Sequence, residues 1–251
     1  MNKIALITGA SAGIGRATAI QLAEKSFNII VAGRRKDRLT TLVDELKNKG
    51  VKACALCFDI QKQNEVKKAI ASLDDYWKNI SLLVNNAGLA AGLDPVDTAD
   101  INDWETMIDT NIKGLLYISK EIIPIMISNG DGHIINIGSI AGKETYANGS
   151  VYCATKSAVD AISKGMRIDL LSNNIRVTTI SPGMVETEFS MVRFKGDTNK
   201  AAKVYEGLIP LHPEDVADAI VYAATRPPHV TINEMLIMPT AQAGAHYVKR
   251  G

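Results

Sequence analysis

Thr8-Gly9-Ala10-Ser11-Ala12-Gly13-Ile14-Gly15-Arg16 follows a strand-like run at residues 3–7 and leads without a break into Ala17-Thr18-Ala19-Ile20-Gln21-Leu22-Ala23, whose composition suits a helix. Glycines at such a strand-to-helix junction permit a tight turn and let backbone N–H groups approach a diphosphate, which the positive end of the helix dipole also favours. The spacing is G-x-x-x-G-x-G. Three glycines alone are a weak signal, and placement directly after the first strand strengthens it. Gly9, Ser11, Ala12, Gly13, Ile14 and Gly15 are therefore the first candidate binding residues.

Working outward, β-branched runs recur at residues 28–32, 52–58, 81–84, 133–137, 176–180 and 234–238. Helical patterns begin near Gly15, Lys36, Gln61, Asn102, Ser150 and Pro213. This alternation predicts repeated βαβ units around a parallel sheet, and the near-continuous hydrophobicity of several strands predicts helices on both faces. Residues 183–211 break the alternation with mixed charged, aromatic and glycine residues, as binding loops often do. No linker, repeat or low-complexity segment interrupts the 251 residues.

Composition narrows the partners. The chain has 46% hydrophobic and 22% charged residues, an ordinary globular balance. Its 28 Lys and Arg against 27 Asp and Glu leave a formal charge of +1, with no basic excess to attract nucleic acid or anionic lipid. No apolar run reaches the roughly 18 residues of a membrane span, and Met1-Asn2-Lys3 is too weakly basic for a signal peptide. Three cysteines form no extracellular disulfide framework, so the expected compartment is a reducing cytoplasm. Cys54 and Cys57 form a C-x-x-C inside a strand. Residues three apart there face opposite ways, so they read as core packing rather than half a metal site. His133, His212, His229 and His246 lack ligand spacing, and no metal is expected.

About 20 residues beyond the glycine loop, an acid at the end of the second strand would mark NAD. The chain has Gly33-Arg34-Arg35 instead. Two guanidiniums suit a 2′-phosphate, whereas cations opening a helix oppose its dipole. Arg34 and Arg35 therefore predict NADP(H). Asp59, after the third strand, is placed to accept from an adenine amino group, with the Ile60 backbone alongside. Asn86, in Asn85-Asn86-Ala87-Gly88, closes the fourth strand at the same ligand-binding edge, where a plain turn is the competing reading.

Ser139 ends the fifth strand, and Tyr152 and Lys156 follow in Val151-Tyr152-Cys153-Ala154-Thr155-Lys156. Four apart on a helix, phenol and ammonium are neighbours, and a close ammonium is expected to draw a tyrosine down from its usual pKa of about 10. Y-x-x-x-K is common by chance, so order carries the argument. Glycine loop, Asn-Asn-Ala-Gly, strand-end Ser and Y-x-x-x-K succeed one another as one doubly wound sheet would require.

In that order the sequence resembles the short-chain dehydrogenase/reductase family over essentially its whole length. The resemblance implies a single-domain Rossmann fold spanning residues 1–251, with a doubly wound seven-stranded parallel sheet and helices on both faces. It implies Tyr152 as proton donor or acceptor, Ser139 as hydrogen-bond partner of the reacting oxygen, and Lys156 on the nicotinamide ribose. Asn111 would support a proton-relay water. Pro182, Gly183, Val185 and Thr187 resemble the segment passing the carboxamide side of the nicotinamide. Residues 103–111 and 187–197 look like those of NADP-dependent 3-hydroxy acid dehydrogenases, which include serine and allo-threonine dehydrogenases and malonic semialdehyde reductases. The expected substrate is thus a short 3-hydroxy acid, and the expected assembly a homotetramer. Arg193 and Lys195, in the irregular segment, offer a cation for a carboxylate; a subunit contact or solvent exposure is the other reading. Reduction of a neutral ketone or aldehyde, and a non-catalytic NADP-binding regulator, are the alternative functions.

Overall fold

Seven strands form one sheet in the order β3-β2-β1-β4-β5-β6-β7, every neighbour parallel. The computed structural model describes residues 3–251; Met1 and Asn2, which entered the reading of the chain's start, lie outside the described residues. The strands are β1 (Ile4–Thr8), β2 (Asn28–Gly33), β3 (Ala53–Cys57), β4 (Ile80–Asn85), β5 (Gly132–Ile137), β6 (Ile175–Pro182) and β7 (Glu234–Ile237). The helices are α1 (Gly13–Glu24), α2 (Lys36–Asn48), α3 (Gln63–Ala71), α4 (Ile101–Ile108), α5 (Leu115–Asn129), α6 (Ser150–Asp169), α7 (Phe189–Arg193), α8 (Thr198–Lys203) and α9 (Pro213–Ala224). The expected doubly wound single domain is what the chain forms.

Pleating explains why the strands read as unbroken apolar runs. In β1, Ala5 and Ile7 join Leu22, Leu39, Leu46 and Ile220 in one core, while Ile4 and Leu6 join Val66, Ile118, Ile122 and Met126 in the other. Each fully buried aliphatic side chain contributes roughly 1.5–3 kcal/mol. Edges depart from this pattern. On edge strand β3, Cys54 is partly buried against the second core, where burial pushes its thiol up to about 12, but Cys57 is exposed. Its thiol donates to the Arg34 carbonyl at 3.4 Å. Core packing thus describes Cys54 and not Cys57, because an edge strand lacks a neighbour to cover it.

Two further departures matter. The helix expected from about Asn102 is interrupted by a π-helical segment, Asp109–Gly114, which contains Asn111. Such turns come with function more often than chance and have no period to read in a sequence. Residues 183–211 hold α7 and α8, too short to show a period. No helix among the described residues is long and apolar enough to cross a membrane.

Beneath the site, His133 on β5 is 3% exposed. Its Nε2 lies 2.8 Å from the Thr178 hydroxyl, whose own hydrogen goes to the Ile232 carbonyl. Nε2 is therefore the donor, and among the described residues Nδ1 has no partner. Burial, with Arg176 and Lys3 nearby, brings the imidazole pKa down to about 3. An unfolded histidine titrates near about 6.5, so between these values only the unfolded chain binds the proton. Stability is full above about 6.5 and falls on acidification, by up to roughly 1.4 kcal/mol per pH unit. Urea unfolding between pH 7 and 4 should show a shallower fall in His133→Gln, by about one proton. An unchanged slope would clear His133 of any part in acid sensitivity.

Candidate functional site

Strand order places the site. The chain runs outward from β1 through β2 to β3, then crosses to β4 on the other side of β1, and between such diverging connections a parallel sheet opens a cleft at its carboxyl edge. Gly9, Ser11, Ala12, Gly13, Ile14, Arg34, Arg35, Asp59, Ile60, Asn86, Ser139, Tyr152, Lys156, Pro182, Gly183, Val185 and Thr187 all line that cleft. Gly15, Asn111 and Arg193 do not.

Gly15 has a packing reason. A Cβ there would stand 2.5 Å from Asn86 Nδ2 and 2.6 Å from the Gly9 carbonyl oxygen. Gly9 adopts φ +65°, and a side chain on it would meet Ala87 at 2.9 Å. The loop is thus pressed against the end of β4. Asn86 donates from Nδ2 to the Thr8 and Gly9 carbonyls at 2.8 and 3.3 Å, and the Asn86 and Ala87 N–H groups both donate to Thr8 Oγ1 at 3.0 Å. Asn86 shapes the cleft wall while its amide is spent on β1. On the other wall, Asp59 Oδ1 accepts from the Gln61 N–H at 3.1 Å.

At the cleft's outer end Arg35 Nε donates to Ser11 Oγ at 3.0 Å, and its Nη1 to Glu188 Oε2 at 2.7 Å. Arg38 Nη1 takes the other carboxylate oxygen at 2.6 Å. The two guanidiniums hold the Glu188 carboxyl below the usual carboxylate range. Open glycine backbone, a hydroxyl and guanidiniums gathered along one groove suit a phosphorylated dinucleotide. The pairing of Glu188 with Arg38 carried no sequence signal, the two being 150 residues apart.

At the inner end, α6 brings in Tyr152 and Lys156. Lys156 Nζ donates to the Ile137 carbonyl at 2.8 Å, and burial lowers its pKa to about 8. The expected lowering of Tyr152 is not found. Burial raises the phenol well above its ordinary value, Tyr146 and Cys153 add to the rise, and Ser139 and Arg193 only partly oppose it. The reason is that α6 buries the phenol, while the ammonium is turned to the Ile137 carbonyl. Tyr152 therefore rests protonated at neutral pH, as a proton donor must. Ser139 Oγ accepts from the Ala141 N–H at 3.1 Å, which leaves its hydroxyl hydrogen to donate. Asn111 is tied down on both sides: Oδ1 accepts from the Leu89 N–H, and Nδ2 donates to the Leu89 carbonyl and to Thr155 Oγ1 on α6.

The loop after β6 closes the remaining side. The Thr187 methyl would lie 3.2 Å from a Cβ on Gly13, and the Val185 carbonyl accepts from the Tyr205 hydroxyl at 2.8 Å. Phe189 meets Tyr152 edge-on, ring centres 5.6 Å apart. The Arg193 guanidinium lies 5.7 Å from the Tyr152 ring centre and 5.4 Å from that of Tyr146, with Nε donating to the Gly92 carbonyl at 3.2 Å. Lys195 is elsewhere, paired with Asp103 at 3.0 Å and Asp100 at 3.8 Å. Of the two cations expected near the reacting centre, only Arg193 reaches it. Tyr146 and Tyr205 were invisible to motif reading, since isolated aromatics in irregular segments carry no pattern, and Phe189 was read only as part of the 187–197 resemblance.

The family model described as short chain dehydrogenase matches residues 3–198. The NADP-dependent 3-hydroxy acid dehydrogenase of Salmonella typhi is 47% identical over 243 residues, covering 96% of this chain and 97% of that protein. The sulfoacetaldehyde reductase 2 of Chromohalobacter salexigens is 42% identical, covering 97% and 96%. Among solved structures, the closed form of a serine dehydrogenase complexed with NADP+ superposes with a TM-score of 0.92 at 46% identity, covering 99% of this chain and all of that one. The chain belongs to the short chain dehydrogenase family and is an oxidoreductase acting on CH–OH groups.

Proposed function

We propose that the protein is an NADP-dependent dehydrogenase of short 3-hydroxy acids of the serine, allo-threonine or 3-hydroxypropionate type. One observation carries the reading: Arg35 lines the cleft beside Ser11 in the glycine loop, and Arg193, outside the cleft lining, stands against the far side of its other end, beside the Tyr152 ring. The first suits a 2′-phosphate and the second a substrate carboxylate. The names of the relatives support both.

Bound NADP(H) supplies or accepts the hydride. Tyr152 passes its proton to the substrate oxygen in reduction; in oxidation it first loses its own proton to solvent and then takes the hydroxyl proton as the phenolate. Ser139 donates its free hydroxyl hydrogen to the same oxygen. Lys156, anchored on the Ile137 carbonyl, binds the nicotinamide ribose. Asn111 is a positioning residue that ties Leu89 to Thr155, one position before Lys156. Residues 183–211 serve as the substrate-binding loop, supported by Val185, Thr187, Phe189 and Val192 in the cleft lining. A cytoplasmic homotetramer is the proposed state; free Cys54, Cys57 and Cys153 support the first term, and the exposed Ile101, Ile108 and Leu116 on α4 and α5 the second.

A sulfonate-bearing aldehyde is the second reading, favoured by the sulfoacetaldehyde reductase relative and by the ability of a guanidinium to take either anion. A panel of serine, 3-hydroxypropionate, sulfoacetaldehyde and neutral carbonyls, followed at the nicotinamide absorbance band, separates these from a neutral-ketone reductase. Tyr152→Phe should lose roughly 10²- to 10⁴-fold in kcat yet still bind NADPH in a fluorescence titration. Binding without turnover in both proteins would make the chain a regulator. Arg35→Ala should raise KM for NADP by roughly tenfold or more while leaving KM for NAD nearly unmoved; equal changes would remove Arg35 from phosphate recognition. In Arg193→Ala, KM should rise by roughly tenfold or more for a 3-hydroxy acid and far less for a neutral secondary alcohol. Equal effects would mean a structural role.

A further inference from the structure

The two walls of the cleft are joined by a side-chain contact that the reaction itself does not need. Arg35 and Arg38 come from the segment that opens α2, and Glu188 immediately precedes α7, on the opposite wall. Each guanidinium takes a separate carboxylate oxygen, at 2.7 and 2.6 Å, so the bridge has two arms. All three side chains are about half exposed, which puts the bridge at the outer rim rather than on the floor. Arg35 and Glu188 line the cleft; Arg38 stands outside it. The wall that Glu188 holds also carries Thr187 over Gly13 and Phe189 against Tyr152. A long dinucleotide lying along this groove would pass beneath the bridge.

From this geometry we infer that Glu188 bolts the cleft: its ion pairs with Arg35 and Arg38 must open for NADP(H) to enter or leave, and they set the rate of cofactor exchange. The inference rests on the cleft being the NADP(H) site. A bridge that closes the protein before the cofactor arrives and after it has bound raises the barrier in both directions. Breaking it speeds entry and exit together and leaves affinity nearly constant. That signature separates a bolt from an ordinary contact to the cofactor, whose loss speeds exit alone. Exposed ion pairs are individually weak, so the bolt slows exchange without preventing it.

Stopped-flow fluorescence of NADPH binding, and of its displacement by excess NADP+, tests this on the full chain. In Glu188→Gln the association and dissociation rate constants should both rise roughly three- to tenfold, with Kd changing by less than about threefold. Arg38→Gln removes one arm from outside the cleft lining and should shift both rates the same way by a smaller factor, so the test survives if the first variant folds poorly. Unchanged rates in both variants would overturn the bolt. So would a rise in dissociation alone with a matching rise in Kd, which would make Glu188 a simple contact of the bound state. Failure of the unaltered protein to bind NADPH would instead overturn the proposed cofactor site.

Discussion

Everything in the cleft is measured from the place where β1 and β4 end, and Asn86 with Thr8 holds that place. Two parallel strands whose connections leave in opposite directions leave their last backbone groups without strand partners, and a buried polar group without a partner is costly. Asn86 Nδ2 and Thr8 Oγ1 satisfy those groups from each strand in turn. The fit is close enough that Gly15 and Gly9 have no room for a side chain. Where α1 begins, and hence where its N–H groups point, follows from this junction.

The reactive end depends on how deeply α6 sits. Polar residues can be buried there only because polar ties surround them. Lys156 meets the Ile137 carbonyl, Thr155 meets Asn111, and Ser163 meets Asn136. Burial then sets the chemistry. The same desolvation that pushes the Tyr152 phenol up brings the Lys156 ammonium down to about 8. Charge is disfavoured on both, so the phenol keeps its proton while the lysine remains easily perturbed.

Between these ends, the segment after β6 forms the remaining wall. It has little core of its own: Val185 and Leu211 pack against the first core and Phe189 beside Tyr152, Tyr205 ties the segment to itself at the Val185 carbonyl, and Arg193 and Glu188 reach across to other elements. Such a wall is secured by contacts that can break singly, unlike the sheet beneath it.

Periodic and contiguous features were legible in the amino-acid order, because they arise from neighbours along the chain. Strand runs, helix starts to within about two residues, the glycine loop, Arg34-Arg35 and the Tyr152–Lys156 spacing belong to this class. Other features arise only when distant segments meet, and a chain order records no distance. The π turn at Asn111, the exposure of Cys57 on an edge strand, the capture of Lys195 by Asp103 and the arrival of Glu188 beside Arg35 are of this second kind. Tyr152 shows the division within one residue. Its place four residues before Lys156 could be read directly, whereas the state of its proton was decided by burial, which exists only once the tertiary fold has closed around it.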